Sequence, residues 1–505
     1  MRRALLGLAA GALVAACSSG ESILNAGNDP LPATTTSTVP SGPPPSTAPG
    51  QTTSSTQGPT TTSTPLSSLP PCPVDALADV TQPVELTFWY GLQTEVETHL
   101  VALTEQYHAQ QDKVRVTLEN QVGSKETFDK YVQSSQDGRP DIVLLPEYVV
   151  QQMADGGTVI PVGACVEESG YDTSAFLPGA LEAYRTGGVQ WSMPFNVSTP
   201  VLFFNERTFE EAGLDVTKPP VSLEQLRQAS QTIVDAGAAT YGIALDSGVD
   251  SGGAWFLEQW FAKARQLYAD SGNGRLARAT RVLFNGPAGV DLLTAVQSMI
   301  LDGLAVSVGD NPQGIDQLFK LADPAQPAAM AIASSGALGA VINVLDGGLI
   351  PDITSEQLGI GPMPGPEGNP LTLVGGGSLY IVAEKGDAAA AAAWDYIQFL
   401  IEAQNQSTWA SQTGYVPVRE DALALDPIKS TYTTDPRFKV AYDSIKAAPP
   451  DEPTALGPVL GPMREVRAVT AIATASIFNG ADVASTLAEA AQQADALITD
   501  YNARN

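Results

Sequence analysis

The chain has few groups suited to acid–base, thiol or metal chemistry. Its two histidines, His99 and His108, stand nine apart on one predicted helix, so they miss the i, i+4 spacing that aims two imidazoles at one metal. With only three cysteines beside them, most zinc sites, Cys–His nucleophile pairs and any disulfide-scaffold fold are excluded. No G-x-S-x-G occurs and no acidic cluster has metal-site spacing, so neither a metal nor a cofactor is expected. A hydrolase needs a nucleophile beside a base, or two close carboxylates. The sequence offers no such motif, and an enzyme is not expected. Three Gly-rich places could bring backbone close to a ligand: Ser334-Ser335-Gly336, Leu358 to Gly368, and Gly375-Gly376-Gly377-Ser378. None ends in the lysine of a phosphate loop, and GGGS precedes a strand, whereas a dinucleotide fingerprint opens a helix.

The elements that would position such residues begin at Val84. VELTFWY reads as a strand, Glu95 to Gln110 as a helix with apolar spacing, and KVRVTLEN as a second strand. A helix over Thr127 to Ser135 and the buried run IVLL follow; PVLFF is another strand, and Asn205 to Ala212 a short helix. Ser222 is placed to cap LEQLRQASQTIVDAG, with Glu224 and Gln225 in the first turn. Strands alternating with helices predict an α/β fold with mostly parallel sheets. The length of 505 residues is enough for two or three domains with real cores. Acidic residues number 55 against 26 basic ones, a formal charge of −29, which opposes nucleic-acid binding.

The first residues are an address. Arg2 and Arg3 precede an apolar run too short to span a membrane, so residues 1–16 are expected to be a signal peptide. Leu13-Val14-Ala15-Ala16-Cys17 resembles the bacterial lipobox, in which the cysteine is acylated and becomes the mature N-terminus. That resemblance implies a lipoprotein on the outer face of the cytoplasmic membrane, anchored through Cys17. Residues 17–71 are mostly Ser, Thr, Pro and Gly and cannot bury enough surface to fold, so they read as a disordered stalk. Outside the cytoplasm two remaining cysteines are more often bridged than free, and a disulfide between Cys72 and Cys165 is expected.

Further along, PDIVLLPE, MPFNVSTPVLFFNERTFEEAGLD, AWFLEQWF, AMAIASSGAL, LVGGGSLYIV, SQTGYVPVRE and LGPMREVR occur in that order. The series resembles the family 1 extracellular solute-binding proteins of ABC importers. It is most similar to the branch that takes sn-glycerol 3-phosphate and glycerophosphodiesters. The resemblance implies a type II periplasmic-binding-protein-like fold, with a ligand cleft between two α/β lobes. On that pattern lobe 1 takes residues 84–195 and 358–410, and lobe 2 takes residues 196–357 and 411–505. It also implies a monomer without cofactors whose partners are a small phosphorylated polyol and the transmembrane permease subunits. An oligosaccharide binder of the same fold is the alternative.

The resemblance carries over a ligand set. Glu147 stands where the family has a carboxylate for glycerol hydroxyls; Ser198, Ser334, the Gly376 amide and Tyr415 match donors to phosphate. Arg464, first in MREVR, is the best match to the guanidinium, with Arg467 one turn later as fallback. A cleft tryptophan and a tyrosine of the family are missing; Trp255 and Phe128 are the nearest aromatics to replace them, and Trp260 is a further candidate for the cleft wall. Glu147 and Gly376 are expected on one side of the cleft, and Ser198, Ser334, Tyr415 and Arg464 mostly on the other.

Overall fold

A computed structural model of the protein describes residues 69–249, 252–310, 314–348, 350 and 353–505. The signal peptide, Cys17 and almost the whole stalk lie outside the described residues.

Thirteen strands are described: β1 (Val84–Tyr90), β2 (Val114–Asn120), β3 (Ile142–Pro146), β4 (Val159–Ile160), β5 (Arg185–Thr186), β6 (Val189–Gln190), β7 (Met193–Ser198), β8 (Pro200–Asn205), β9 (Tyr241–Asp246), β10 (Ala305–Gly309), β11 (Ala328–Ser334), β12 (Leu358–Pro362) and β13 (Gly375–Val382). One sheet runs β2-β1-β3-β13-β4, with β7 also paired to β13; a second runs β10-β9-β11-β8-β12, and β5 pairs with β6 in a small two-stranded sheet. The expected βαβ pattern holds for β1 with β2 and β3, and for β9 with β10 and β11, all parallel. The rest is antiparallel: β13 runs against β3, β4 and β7, and β8 against β11 and β12. The sheets are therefore mixed. The cause is the chain passing back and forth between them, since a strand that returns from the other lobe enters its sheet in reverse.

The strand pairings depart from the boundaries read from sequence. β7 belongs to the first sheet and β8 to the second, so the first crossing is at Thr199. β12 pairs with β8 from Leu358↔Asn205 to Pro362↔Val201, so residues 358–362 belong to the second lobe and not the first. The chain returns only with β13. The glycines of β12 make room for packing: a β-carbon at Gly359 would lie 2.1 Å from Phe204 Cζ, and one at Gly361 2.8 Å from Pro219 Cγ. After the helix Ala403–Thr413 the Val416 amide donates to the Val197 carbonyl of β7 at 2.7 Å and the Leu177 amide to the Val418 carbonyl at 2.9 Å, so the chain is still beside the first sheet there.

Local chemistry sets the helices. Ser222 Oγ accepts from the Gln225 amide at 3.1 Å and Gln225 Oε1 accepts from the Ser222 amide at 3.3 Å, a capping box that opens the helix Leu223–Asp235. Asn205 caps Glu206–Glu211 by accepting from the Thr208 amide. Cys72 and Cys165 are joined by a disulfide across a sequence separation of 93. Cys165 sits within the helix Val162–Ser169. The bridge ties the segment before β1 to the helix after β4.

Candidate binding cleft

The carboxyl ends of three strands meet over one cavity, the place where α/β sheets leave room for ligands. Glu147 follows β3 directly, Ser198 ends β7 and Ser334 ends β11. These three line a cavity of about 160 Å³ together with Gly376, Tyr415, Trp255 and Arg467. That is an order of magnitude above the ~10–15 Å³ one water needs. Gly91, Ser124 and Asn196 complete much of the wall on the first-lobe side.

Backbone constraints hold this wall. Gly376 has φ 88°, in the left-handed region, and a β-carbon there would lie 2.1 Å from the Asn196 carbonyl oxygen. Only glycine lets β13 press this closely on β7. Gly375 performs the same service for Trp255, whose Cζ2 would be 2.4 Å from a β-carbon. Tyr415 stacks on Trp409 with centroids 5.8 Å apart and planes 13° from parallel. Burial pushes the Tyr415 phenol above its ordinary range, so it enters the cavity protonated and can donate. Ser334 Oγ accepts from the Gly336 amide at 3.2 Å, which leaves its own hydroxyl proton to donate elsewhere.

The cation of the cavity is Arg467, and Arg464 is not among its lining residues. Both project from the helix Met463–Phe478, three residues and about 4.5 Å apart along its axis. Arg464 reaches Asp129 at 2.5 Å and lies over the Phe128 ring at 5.7 Å. Phe128 is buried beneath that guanidinium and likewise does not line the cavity. Trp260 is also spent elsewhere, its indole N–H donating to the Pro364 carbonyl at 3.1 Å. Ser198 falls on the side of Glu147 and Gly376, since it pairs with Gly375 in the first sheet, and not on the side of Ser334.

Arg467 is 2% exposed and sits between two carboxylates. Its Nε donates to Glu258 Oε1 at 2.7 Å, and Nη2 donates to Glu258 Oε2 at 2.8 Å and to Glu147 Oε1 at 2.7 Å. The Tyr148 ring lies 4.4 Å from the guanidinium carbon. Burial pushes both carboxyls above the ordinary carboxylate range while the Arg467 charge opposes it. Glu258 is the residue the sequence reading missed. It is the only acid within the apolar run Ala254 to Ala262, and a lone buried carboxylate requires a partner.

Among the described residues three ion pairs cross between the lobes. They are Arg467–Glu147, Arg464–Asp129, and the two-nitrogen contact of Arg278 on Asp155 at 2.6 and 3.0 Å. Because Arg464 reaches the other lobe but not the cavity, Arg464→Ala should lower the affinity for every ligand by one common factor, within about fivefold. Calorimetry with two unlike ligands checks this; a loss confined to one of them would put Arg464 in contact with ligand.

The sequence profile of the bacterial extracellular solute-binding proteins matches residues 102–440. The chain belongs to this family. Among its relatives is the sn-glycerol-3-phosphate-binding periplasmic protein UgpB of Brucella melitensis, 26% identical over 342 residues, 66% of this chain and 74% of the relative. The protein of the same name from Pectobacterium atrosepticum is 25% identical over 408 residues, 78% and 87% of the two chains. The fold matches UgpB from Mycobacterium tuberculosis, solved in complex with glycerophosphocholine, with TM-score 0.66 and 20% identity over 83% of this chain and 99% of that one. It also matches the cyclic alpha-maltosyl-1,6-maltose binding protein of Arthrobacter globiformis, with TM-score 0.65 and 22% identity over 83% and 100%. The two-lobed solute-binding fold is therefore shared by proteins with unlike ligands. The protein is an ABC-type extracellular solute-binding protein, of a family whose members serve transport by binding. Among the described residues no helix is long and apolar enough to cross a membrane, and no group of His, Cys, Asp or Glu is placed to hold a metal ion.

Proposed function

We propose that the protein captures glycerol 3-phosphate or a glycerophosphodiester in this cavity and delivers it to the permease of an ABC importer, tethered to the outer face of the membrane by lipid on Cys17. The observation that carries this reading is the convergence of Ser198, Ser334, Gly376, Tyr415 and Arg467 on one cavity. Hydroxyl and amide donors with one guanidinium are what a phosphate group in a partly dry cleft requires. Glu147, on the same wall, accepts from the hydroxyls of the glycerol end. Groups from both lobes bind the ligand together, so the ligand stabilises the closed arrangement over an open one.

Calorimetry with glycerol 3-phosphate, glycerophosphocholine, maltose and trehalose tests the proposal. A phosphate ester should bind, and at about 100 times its Kd it should add about 2.7 kcal/mol to stability in a melting experiment. Binding of the sugars alone would replace this reading with the oligosaccharide one. That alternative has Trp255 in its favour, an indole lining the cavity where a sugar face could stack.

A further inference from the structure

Among the described residues lining the cavity, Arg467 is the one cation, and its charge is already spent. With Glu147 and Glu258 both ionised, the trio carries one net negative charge; with one of them protonated it is neutral. In neither state does it offer a net positive charge. The geometry is as telling as the count. Glu258 occupies the Nε–Nη2 edge of the guanidinium with both oxygens, and Glu147 takes the other Nη2 proton. The edge that could grip two phosphate oxygens at once is thus turned to Glu258, and Nη1 makes no hydrogen bond among the described residues. Glu258 is 3% exposed and does not line the main cavity; it acts on the ligand only through Arg467. The next cation, Arg275, lines a smaller adjoining cavity and donates to the carbonyls of Glu182, Leu456 and Gly457.

We infer that Glu258 sets the charge class of the ligand, making the cleft take a singly charged phosphodiester in preference to a doubly charged phosphomonoester. The inference rests on the phosphate reading above and narrows it. A phosphomonoester carries about −1.5 to −2 near neutral pH, with its second proton leaving near pH 6. A diester has no second proton and stays at one charge. The extra charge of the monoester meets a cation already cancelled and a carboxylate, Glu147, on the cavity wall, and like charges brought together in a desolvated site repel strongly. Glu258 is therefore a positioning residue whose effect is read in ligand preference.

The test compares glycerophosphoglycerol, a diester whose headgroup carries no cation, with glycerol 3-phosphate by calorimetry on the full protein and on Glu258→Gln. The amide oxygen still accepts from Arg467, one bond in place of two, and the charge is removed. The unaltered protein should prefer the diester, and the variant should shift the ratio of affinities toward the monoester by about tenfold or more. An unmoved ratio in a folded variant, with both esters still bound, overturns the role of Glu258 and leaves the proposed function standing. Maltose binding with neither ester bound overturns both. A second measurement avoids any folding defect. On the unaltered protein, lowering the pH from about 8 to about 5.5 converts the monoester to its monoanion. Its affinity relative to the diester should then rise. Any proton taken up by Glu147 or Glu258, whose carboxyls burial raises, removes negative charge beside Arg467 and moves the ratio in the same direction, while Tyr268 keeps its proton throughout and the Tyr148 ring faces the guanidinium without a charge. A flat or falling ratio overturns the inference.

Discussion

Arg467→Ala is expected to lose phosphate-ester binding by about 2–5 kcal/mol, a factor from about thirty to several thousand, because the one cation among the described residues of the cavity goes with it. The same change should lower stability by about 3–5 kcal/mol, since Glu147 and Glu258 are left buried with no counter-charge. The pH dependence separates these effects. Burial raises both carboxyls, and without Arg467 the main opposition to that rise is gone. A carboxyl whose folded pKa lies above its unfolded value binds protons on folding, so the variant gains stability as pH falls and loses it as pH rises. Melting temperatures between about pH 5 and pH 8 should show the gap between variant and unaltered protein closing toward the acid end. A gap independent of pH would mean that the carboxylates find other partners. Arg467→Lys should rescue only part of either effect, because one ammonium cannot span two carboxylates edge-on.

Much of the architecture is legible in the chain, for a local reason. β1, the helix Thr94–Gln110 and β2 are neighbours in sequence and in space, and their apolar periods of two and three to four reflect the faces they bury. The antiparallel partner of β3 is different. β13 arrives from far along the chain after two passages between lobes, and nothing in its residues states its direction. The glycines of Leu358 to Gly368 are equally silent. They read as a turn or a ligand approach, yet in β12 they leave space for Phe204 and Pro219 and carry that strand into the second sheet.

The candidate site divides in the same way. Motif matches placed Glu147, Ser198, Ser334, Gly376 and Tyr415, and the fold brings all five to one cavity. The choice between Arg464 and Arg467 was beyond the sequence because residues three apart share a helix face. What separates them is depth along the axis, and that follows only from where Asp129 and Glu147 stand on the opposite lobe. Glu258 carries one signal, an acid inside an apolar helical run. The same signal fits any buried ion pair, and its partner lies on a helix near the other end of the chain.

Gly376→Ala is expected to have an effect of similar size by a wholly different route. Its φ of 88° is costly for any residue with a β-carbon, about 1–3 kcal/mol of strain. A β-carbon would also stand 2.1 Å from the Asn196 carbonyl oxygen, and this is backbone in a paired strand, which has no rotamer to yield. To accept the methyl group β13 must pull away from β7, and that pairing holds Ser198 at the cavity. Ligand affinity should therefore fall by about a hundredfold or more, along with a lowered melting temperature. Gly386→Ala is the matched control. Its φ is 94°, yet nothing lies within 4 Å of the added carbon, so it carries strain without collision. The two variants should share the strain, and the difference between them isolates the cost of forcing β7 and β13 apart. Equal loss of melting temperature, with affinity kept in both, would show that the close approach of these strands is not what holds Ser198 at the cavity.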